Sequence, residues 1–199
     1  ITSYTKAVGL SENGARDVKI GKDGTIWVGT EEAGISKFAG EAFTNFTKDY
    51  GLEHTAVIDD IFQDREGNIW FASLMGLHKY DGFGFTMYSR NHGGLLENSI
   101  ERTYQDDKGM LWFAGAKGMT KFDGKSFTHF GLAQGLPDEN IVDMLQDKNG
   151  IFWLAFNTQI ARFDGVSFKY FGSEHGIPSD IKEMFVDSFR ALLRIIERI

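Results

Sequence analysis

Gly24-Thr25-Ile26-Trp27, Gly67-Asn68-Ile69-Trp70, Gly109-Met110-Leu111-Trp112 and Gly150-Ile151-Phe152-Trp153 each place a tryptophan three residues after a glycine. Successive tryptophans stand 43, 42 and 41 residues apart. A recurrence of this length marks an array of like supersecondary units, none of which buries its apolar surface alone.

Working outward from each tryptophan, every unit resolves into four short strand patterns. The first ends in Val18-Lys19-Ile20, Ile61-Phe62-Gln63, Thr103-Tyr104-Gln105 or Met144-Leu145-Gln146. A polar turn leads to the tryptophan strand, and the third strand follows at Ile35, Leu77, Met119 and Ile160. A tight turn (Ala39-Gly40, Asp81-Gly82, Asp123-Gly124, Asp164-Gly165) then leads to the fourth, which begins at Phe43, Phe85, Phe127 and Phe168. Asx-Gly between apolar runs is a strong hairpin signal because glycine accepts positive φ without steric cost. Four strands joined this way form an antiparallel meander that is apolar on both faces and needs covering on both. Radial packing of such sheets, the β-propeller, provides that cover, with each indole between adjacent blades. No unit has helical spacing over a dozen residues, which excludes a helical solenoid.

The expected class is therefore all-β, with four complete propeller blades over about 15–46, 57–88, 99–130 and 140–171. Partial strands at 1–5 and 180–187 complete a repeat region over 1–188. Ile1 and Tyr4 match the fourth-strand columns, and Ile181 opens a fifth first strand. Beyond it Arg190 replaces the turn glycine and Leu193 the tryptophan. The spacing of Phe189, Leu192, Leu193, Ile196 and Ile199 predicts a short C-terminal helix in the divergent tail 189–199. Four blades either close a small ring or form an arc of a larger propeller; the arc is the expectation, and its open edges favour self-association.

Whole-chain numbers narrow the function. The 199 residues are 42% hydrophobic and 25% charged, as in a folded globular chain. Net charge is −7 without a Lys/Arg cluster, which argues against nucleic acid as a partner. There is no cysteine, hence no disulfide or thiolate metal site. No apolar run is long enough to enter a membrane, and the start does not read as a signal peptide.

The aligned columns, with Asp64, Gly67, Trp70, Gly76, Lys79, Asp81-Gly82 and Phe85 as one instance, resemble the two-component regulator propeller repeat. Gly21, Ala39 and Gln159 depart from it, and the tail does not match. Those repeats build the extracytoplasmic sensor portion of bacterial hybrid histidine kinases, many of them linked to carbohydrate sensing. The resemblance thus implies a non-catalytic, periplasmic recognition segment, with no kinase domain in this chain. A structural protein-interaction propeller is an alternative reading. A streptogramin-type lyase, also a propeller with Gly-x-Ile-Trp repeats, is another.

Site candidates follow from position. The first-strand column Asp17, Asp60, Arg102, Asp143, Glu183 is polar between apolar columns. On channel-lining strands it forms either a mostly acidic ring for a cation or sugar hydroxyls, or a set of carboxylates bonded to neighbouring backbone; the second reading is favoured. The longest loops, 47–56, 89–98, 131–139 and 172–179, share one face with Glu31-Glu32-Ala33, Leu74-Met75, Ala116-Lys117 and Asn157-Thr158, and a rigid scaffold displays binding residues on such loops. The ligand-binding candidates are His54, Asp60, His92, Asn98, Arg102, Asn140, Asp143 and His175. They would meet an unknown small molecule, a glycan or a partner protein. The three loop histidines lie on separate blades, so no metal trio is expected, and no cofactor. His78 and His129 are expected at exposed positions. The Asp-x-x-Gly segments read as structural turns. No nucleophile with its base, and no clustered His–Glu pair, stands out as catalytic.

Overall fold

Aromatic and β-branched runs punctuated by glycine turns fold as their alternation dictates. The computed structural model describes residues 3–47, 50, 52, 57–137, 140–179, 181–187 and 192–197. Within them lie four antiparallel meanders of four strands, each in sequence order. The first comprises β1 (Ala15–Ile20), β2 (Ile26–Thr30), β3 (Ile35–Phe38) and β4 (Phe43–Phe46). The second comprises β5 (Ile58–Gln63), β6 (Ile69–Ser73), β7 (Gly76–Tyr80) and β8 (Phe85–Tyr88). The third comprises β9 (Ile100–Gln105), β10 (Leu111–Gly115), β11 (Gly118–Phe122) and β12 (Phe127–Phe130). The fourth comprises β13 (Asp143–Gln146), β14 (Phe152–Ala155), β15 (Ile160–Phe163) and β16 (Phe168–Phe171). A last pair, β17 (Ile181–Asp187) and β18 (Leu192–Glu197), follows. The chain divides into two compact units, Ile1–Thr103 and Tyr104–Ile199. No helix among the described residues is long and apolar enough to cross a membrane.

The tryptophans hold neighbouring blades together. Trp27 of β2 lies 5.5 Å from the Phe71 ring and 5.2 Å from the Tyr80 ring, both of the second blade. In the second unit Trp112 lies 4.7 Å from Phe152 of the fourth blade. Each such ring removes a large apolar area from water and adds edge or stacking attraction. Lys37, Lys79 and Lys121 cap the indoles of Trp27, Trp70 and Trp112 at 5.2–5.7 Å.

A carboxylate orients three of the four indoles. Asp64 Oδ2 accepts Trp70 Nε1–H at 2.8 Å, while its Oδ1 accepts the Asn68 amide. Asp106 serves Trp112 and the Met110 amide in the same way, and Asp147 serves Trp153 and the Ile151 amide. The Asp-x-x-Gly segment is thus a turn and a ring anchor at once. Gly21 occupies this position in the first blade, where Asp23 instead accepts the amide and hydroxyl of Thr25.

A second carboxylate column joins one blade to the next. Asp17 Oδ2 accepts the Ile61 amide at 2.7 Å, Asp60 Oδ2 the Thr103 amide at 2.6 Å, and Asp143 Oδ2 the Met184 amide at 2.7 Å. Among the described residues the first strand of each four-stranded blade pairs only with the second strand of its own sheet. Its outer N–H groups therefore need partners from elsewhere.

Three expectations are corrected. Residues 192–197 form a strand antiparallel to β17, not a helix; Phe189 and Ile199 lie outside the described residues. A short apolar run suits either state, and the free edge of β17 offers backbone partners that a helix would leave open. Residues 3–5 form no strand; Tyr4 instead packs on Phe38 and Phe43 ahead of a one-turn 3-10 helix, Lys6–Val8. His78 is 1% exposed, not at the surface. Its column, with Ser36, Thr120 and Ala161, lies on third strands inside covered sheets, and all four side chains are buried. His129 is half-buried, its Nδ1 3.1 Å from Thr120 Oγ1.

Two glycines of the second blade separate conformational from steric demand. Gly82 has φ +97° with nothing within 4 Å of an added Cβ, whereas at Gly76 (φ +124°) an added Cβ would overlap the Tyr88 carbonyl oxygen. Gly82→Ala is expected to cost about 1 kcal/mol. Gly76→Ala is expected to cost about 3 kcal/mol or more, since backbone must also shift. Equilibrium urea unfolding of the two variants measures the difference.

Candidate functional site

Alternation along a strand sends neighbouring side chains to opposite faces, and β1, β5 and β17 break it. In β5 the register runs Ile58 to Ser73 and then Asp60 to Ala72, which leaves Asp59 as an extra, bulged residue. In β1 it runs Ala15 to Thr30 and then Asp17 to Gly29, which leaves Arg16 in the same position. A bulge re-aims its side chain, and here the two bulged residues of adjacent blades meet. Arg16 Nη2 donates to Asp59 Oδ1 at 2.7 Å. Both line a cleft of about 700 Å³ in the first unit, with Glu31 and Glu32 from the β2–β3 loop, Leu74 from the β6–β7 loop, Val57, and Glu101 and Arg102 of β9.

The electrostatics of the cleft are mixed, with acids in excess. Asp59 raises the Arg16 pKa through hydrogen bond and charge, with smaller contributions from Glu31 and Glu101. The Arg16 side chain is 47% exposed, whereas that of Asp59 is 10% exposed. Asp59 Oδ2 is buried and accepts no hydrogen bond. Arg102 Nη1 donates to the Glu101 carbonyl at 2.8 Å. Glu31 and Glu32 are held by backbone amides, Glu31 N–H donating to the Gly14 carbonyl and Glu32 N–H to Glu12 Oε2. Four carboxylates and two guanidiniums around an open volume suit a polar ligand rich in donors.

The expected residues fall in different places. In the first unit Arg102 lines the cleft, and Asp60 lies one residue beyond the bulge. His92 is an exposed loop residue whose amide donates to Ser89 Oγ, and Asn98 Oδ1 accepts the Arg90 amide within the same loop. His54 lies outside the described residues. In the second unit Asn140 is half-buried just before β13, and Asp143 ties β13 to β17. His175 belongs to a one-turn 3-10 helix, Ser173–His175, with its Nδ1 2.8 Å from Glu174 Oε1. That contact is a His–Glu pair where none was expected, although both side chains are well exposed. Among the described residues no group of three or more His, Cys, Asp or Glu is placed to hold a metal ion. Sequence reasoning missed Arg16, Asp59 and Glu101. The signal available was two consecutive polar positions, Asp59-Asp60 and Glu101-Arg102, inside strands that otherwise alternate.

Residues 51–74 and 135–158 match the model of the family described as two component regulator propeller. No curated protein matches the chain at a significant level. Among solved structures the chain is similar to the extracellular domain assigned to the hybrid two component system BT4673 of B. thetaiotaomicron. The TM-score is 0.72 at 20% identity, over 94% of this chain and 30% of that one. It is also similar to a catalytically inactive virginiamycin B lyase from Staphylococcus aureus, with TM-score 0.69 at 14% identity, over 94% of this chain and 72% of that one. A third similar structure is PorZ, a surface component of the type-IX secretion system of Porphyromonas gingivalis, with TM-score 0.69 at 14% identity, over 94% and 31%. The chain spans about three tenths of the length of the two-component domain. These likenesses show the fold, propeller blades.

Asp60 carries a measurable consequence of its position. Burial pushes its carboxyl up to about 6, with Asp17 adding to the rise while the Thr103 amide and Arg102 oppose it. A carboxyl raised in the folded state stabilises fully below its unfolded pKa, and the contribution is lost as pH rises through the folded value. Asp60→Asn keeps an acceptor for the Thr103 amide and cannot ionise. The variant is expected to match the parent in stability near pH 4 and to exceed it by roughly 2 kcal/mol above pH 7, read from denaturation midpoints across pH.

Proposed function

Because the chain carries repeats of the two component regulator propeller family, we propose that it is a non-catalytic recognition segment of a bacterial extracytoplasmic sensor, in the periplasm and directed at carbohydrate-related solutes. The observation that carries this reading is the contrast between columns. Positions that hold the blades together repeat from blade to blade, whereas the position just before the carboxylate column reads Arg16, Asp59, Glu101 and changes chemistry at each step. These blade-specific residues line one cleft, as a recognition site on a repetitive scaffold requires. Ligand contact there biases the packing of blades or of paired copies, and a membrane-spanning segment passes that bias on.

A lyase reading draws on the likeness to virginiamycin B lyase and on the His175–Glu174 pair. The exposure of both residues argues against it, because a general base gains its tuned pKa from a shielded setting.

A ligand that binds only the folded state raises its melting temperature. Melting curves against a panel of neutral, acidic and amino glycans are expected to show a rise of several degrees for at least one class, with no turnover of a streptogramin substrate. A flat response across the panel would favour a purely structural interaction module, and turnover that disappears in His175→Ala would establish the lyase.

A further inference from the structure

We propose that the cleft of the first unit seats a primary ammonium group on Asp59, which deepens the recognition reading above by naming the ligand chemistry. The argument begins with an unsatisfied atom. Asp59 is nine-tenths buried, its Oδ1 is paired with Arg16, and its Oδ2 accepts nothing. A buried acceptor without a donor carries a desolvation cost, greater for a charged group. Asp59 lines open volume; its Oδ2 is itself covered, so a donor reaches it from the cleft as Arg16 swings away from Oδ1.

The surrounding charge selects the kind of donor. Glu31, Glu32 and Glu101 line the same volume, so its acids outnumber Arg16 and Arg102 by two. An anion would add to that excess. A neutral hydroxyl would satisfy Oδ2 but leave the excess charge, while an ammonium does both through a charge-assisted bond. The apolar lining among the described residues is Val57 and Leu74, with no aromatic ring for a sugar face to stack on. Recognition through stacking is therefore weak here relative to recognition through charge.

The bulge sets the direction of the carboxylate. In regular alternation Asp59 and Asp60 would point to opposite faces; the extra residue at Asp59 turns it towards Arg16, while Asp60 bonds the Thr103 amide. The half-exposed Arg16 side chain has room to swing from Oδ1 as the ligand arrives, and the buried carboxylate stays in place.

Titration calorimetry on the whole chain, at a pH where the amine is protonated, tests this with glucosamine, N-acetylglucosamine, glucose and cadaverine as probes. Glucosamine is expected to bind at least tenfold more tightly than glucose or N-acetylglucosamine, and Asp59→Asn to weaken glucosamine at least tenfold. Glu101→Gln provides a second variant, with a smaller loss. Cadaverine binding as well as glucosamine would support the ammonium site and identify its natural ligand as an aliphatic amine. Three results would overturn the proposal: glucose binding as tightly as glucosamine, Asp59→Asn retaining full affinity, or no heat with either amine. Neutral or acidic glycans that stabilise the protein while both amines fail would remove the ammonium site and leave the sensor reading standing.

Discussion

Hydrogen bonds from backbone amides to a single carboxylate column are the constraint on which the blade arrangement rests. The innermost strand of each sheet is an edge, and an edge strand presents amides that water or a partner must satisfy. Asp17, Asp60 and Asp143 meet that need by bonding the Ile61, Thr103 and Met184 amides of the following blade's first strand. The same carboxylates also serve their own strands: Asp17 Oδ1 accepts the Val18 amide and Asp143 Oδ1 the Met144 amide. One side chain therefore closes its own strand and ties the next.

The apolar contacts operate within that frame. Gly29 is small because Ile58 of the next blade occupies the place a Cβ would take. Ala114 with Ile141, and Ala155 with Ile181, share buried clusters in the second unit. Close approach of the sheets then brings Trp27 and Trp112 against the following blade's rings, and the Asp106–indole bond fixes the orientation of Trp112. Dense packing makes each column intolerant of change, which is why the same residue types recur.

The cleft uses the positions that this frame leaves open. Bulges at Arg16 and Asp59 interrupt the pleat without breaking the tie made by the adjacent Asp17 and Asp60. Structural and cleft-lining residues thus sit side by side in sequence yet face different surroundings. Arg102 departs from the acidic column and lies in the cleft.

The sequence by itself determined the strands, their order, the class of fold and the wedge role of the indoles, because period-two patterning, turn glycines and a recurring tryptophan are local signals. It also pointed to the Asp60 column, and bonding to neighbouring backbone was the better of its two readings. Only the tertiary structure decided that His78 is covered, since burial depends on what packs over a sheet and not on the strand alone. It likewise decided that residues 192–197 take the strand state, where a free edge outweighed helical spacing, and that Asp59 and Arg16 meet. A bulge is a mismatch between two strands, and neither strand's sequence records it without the other.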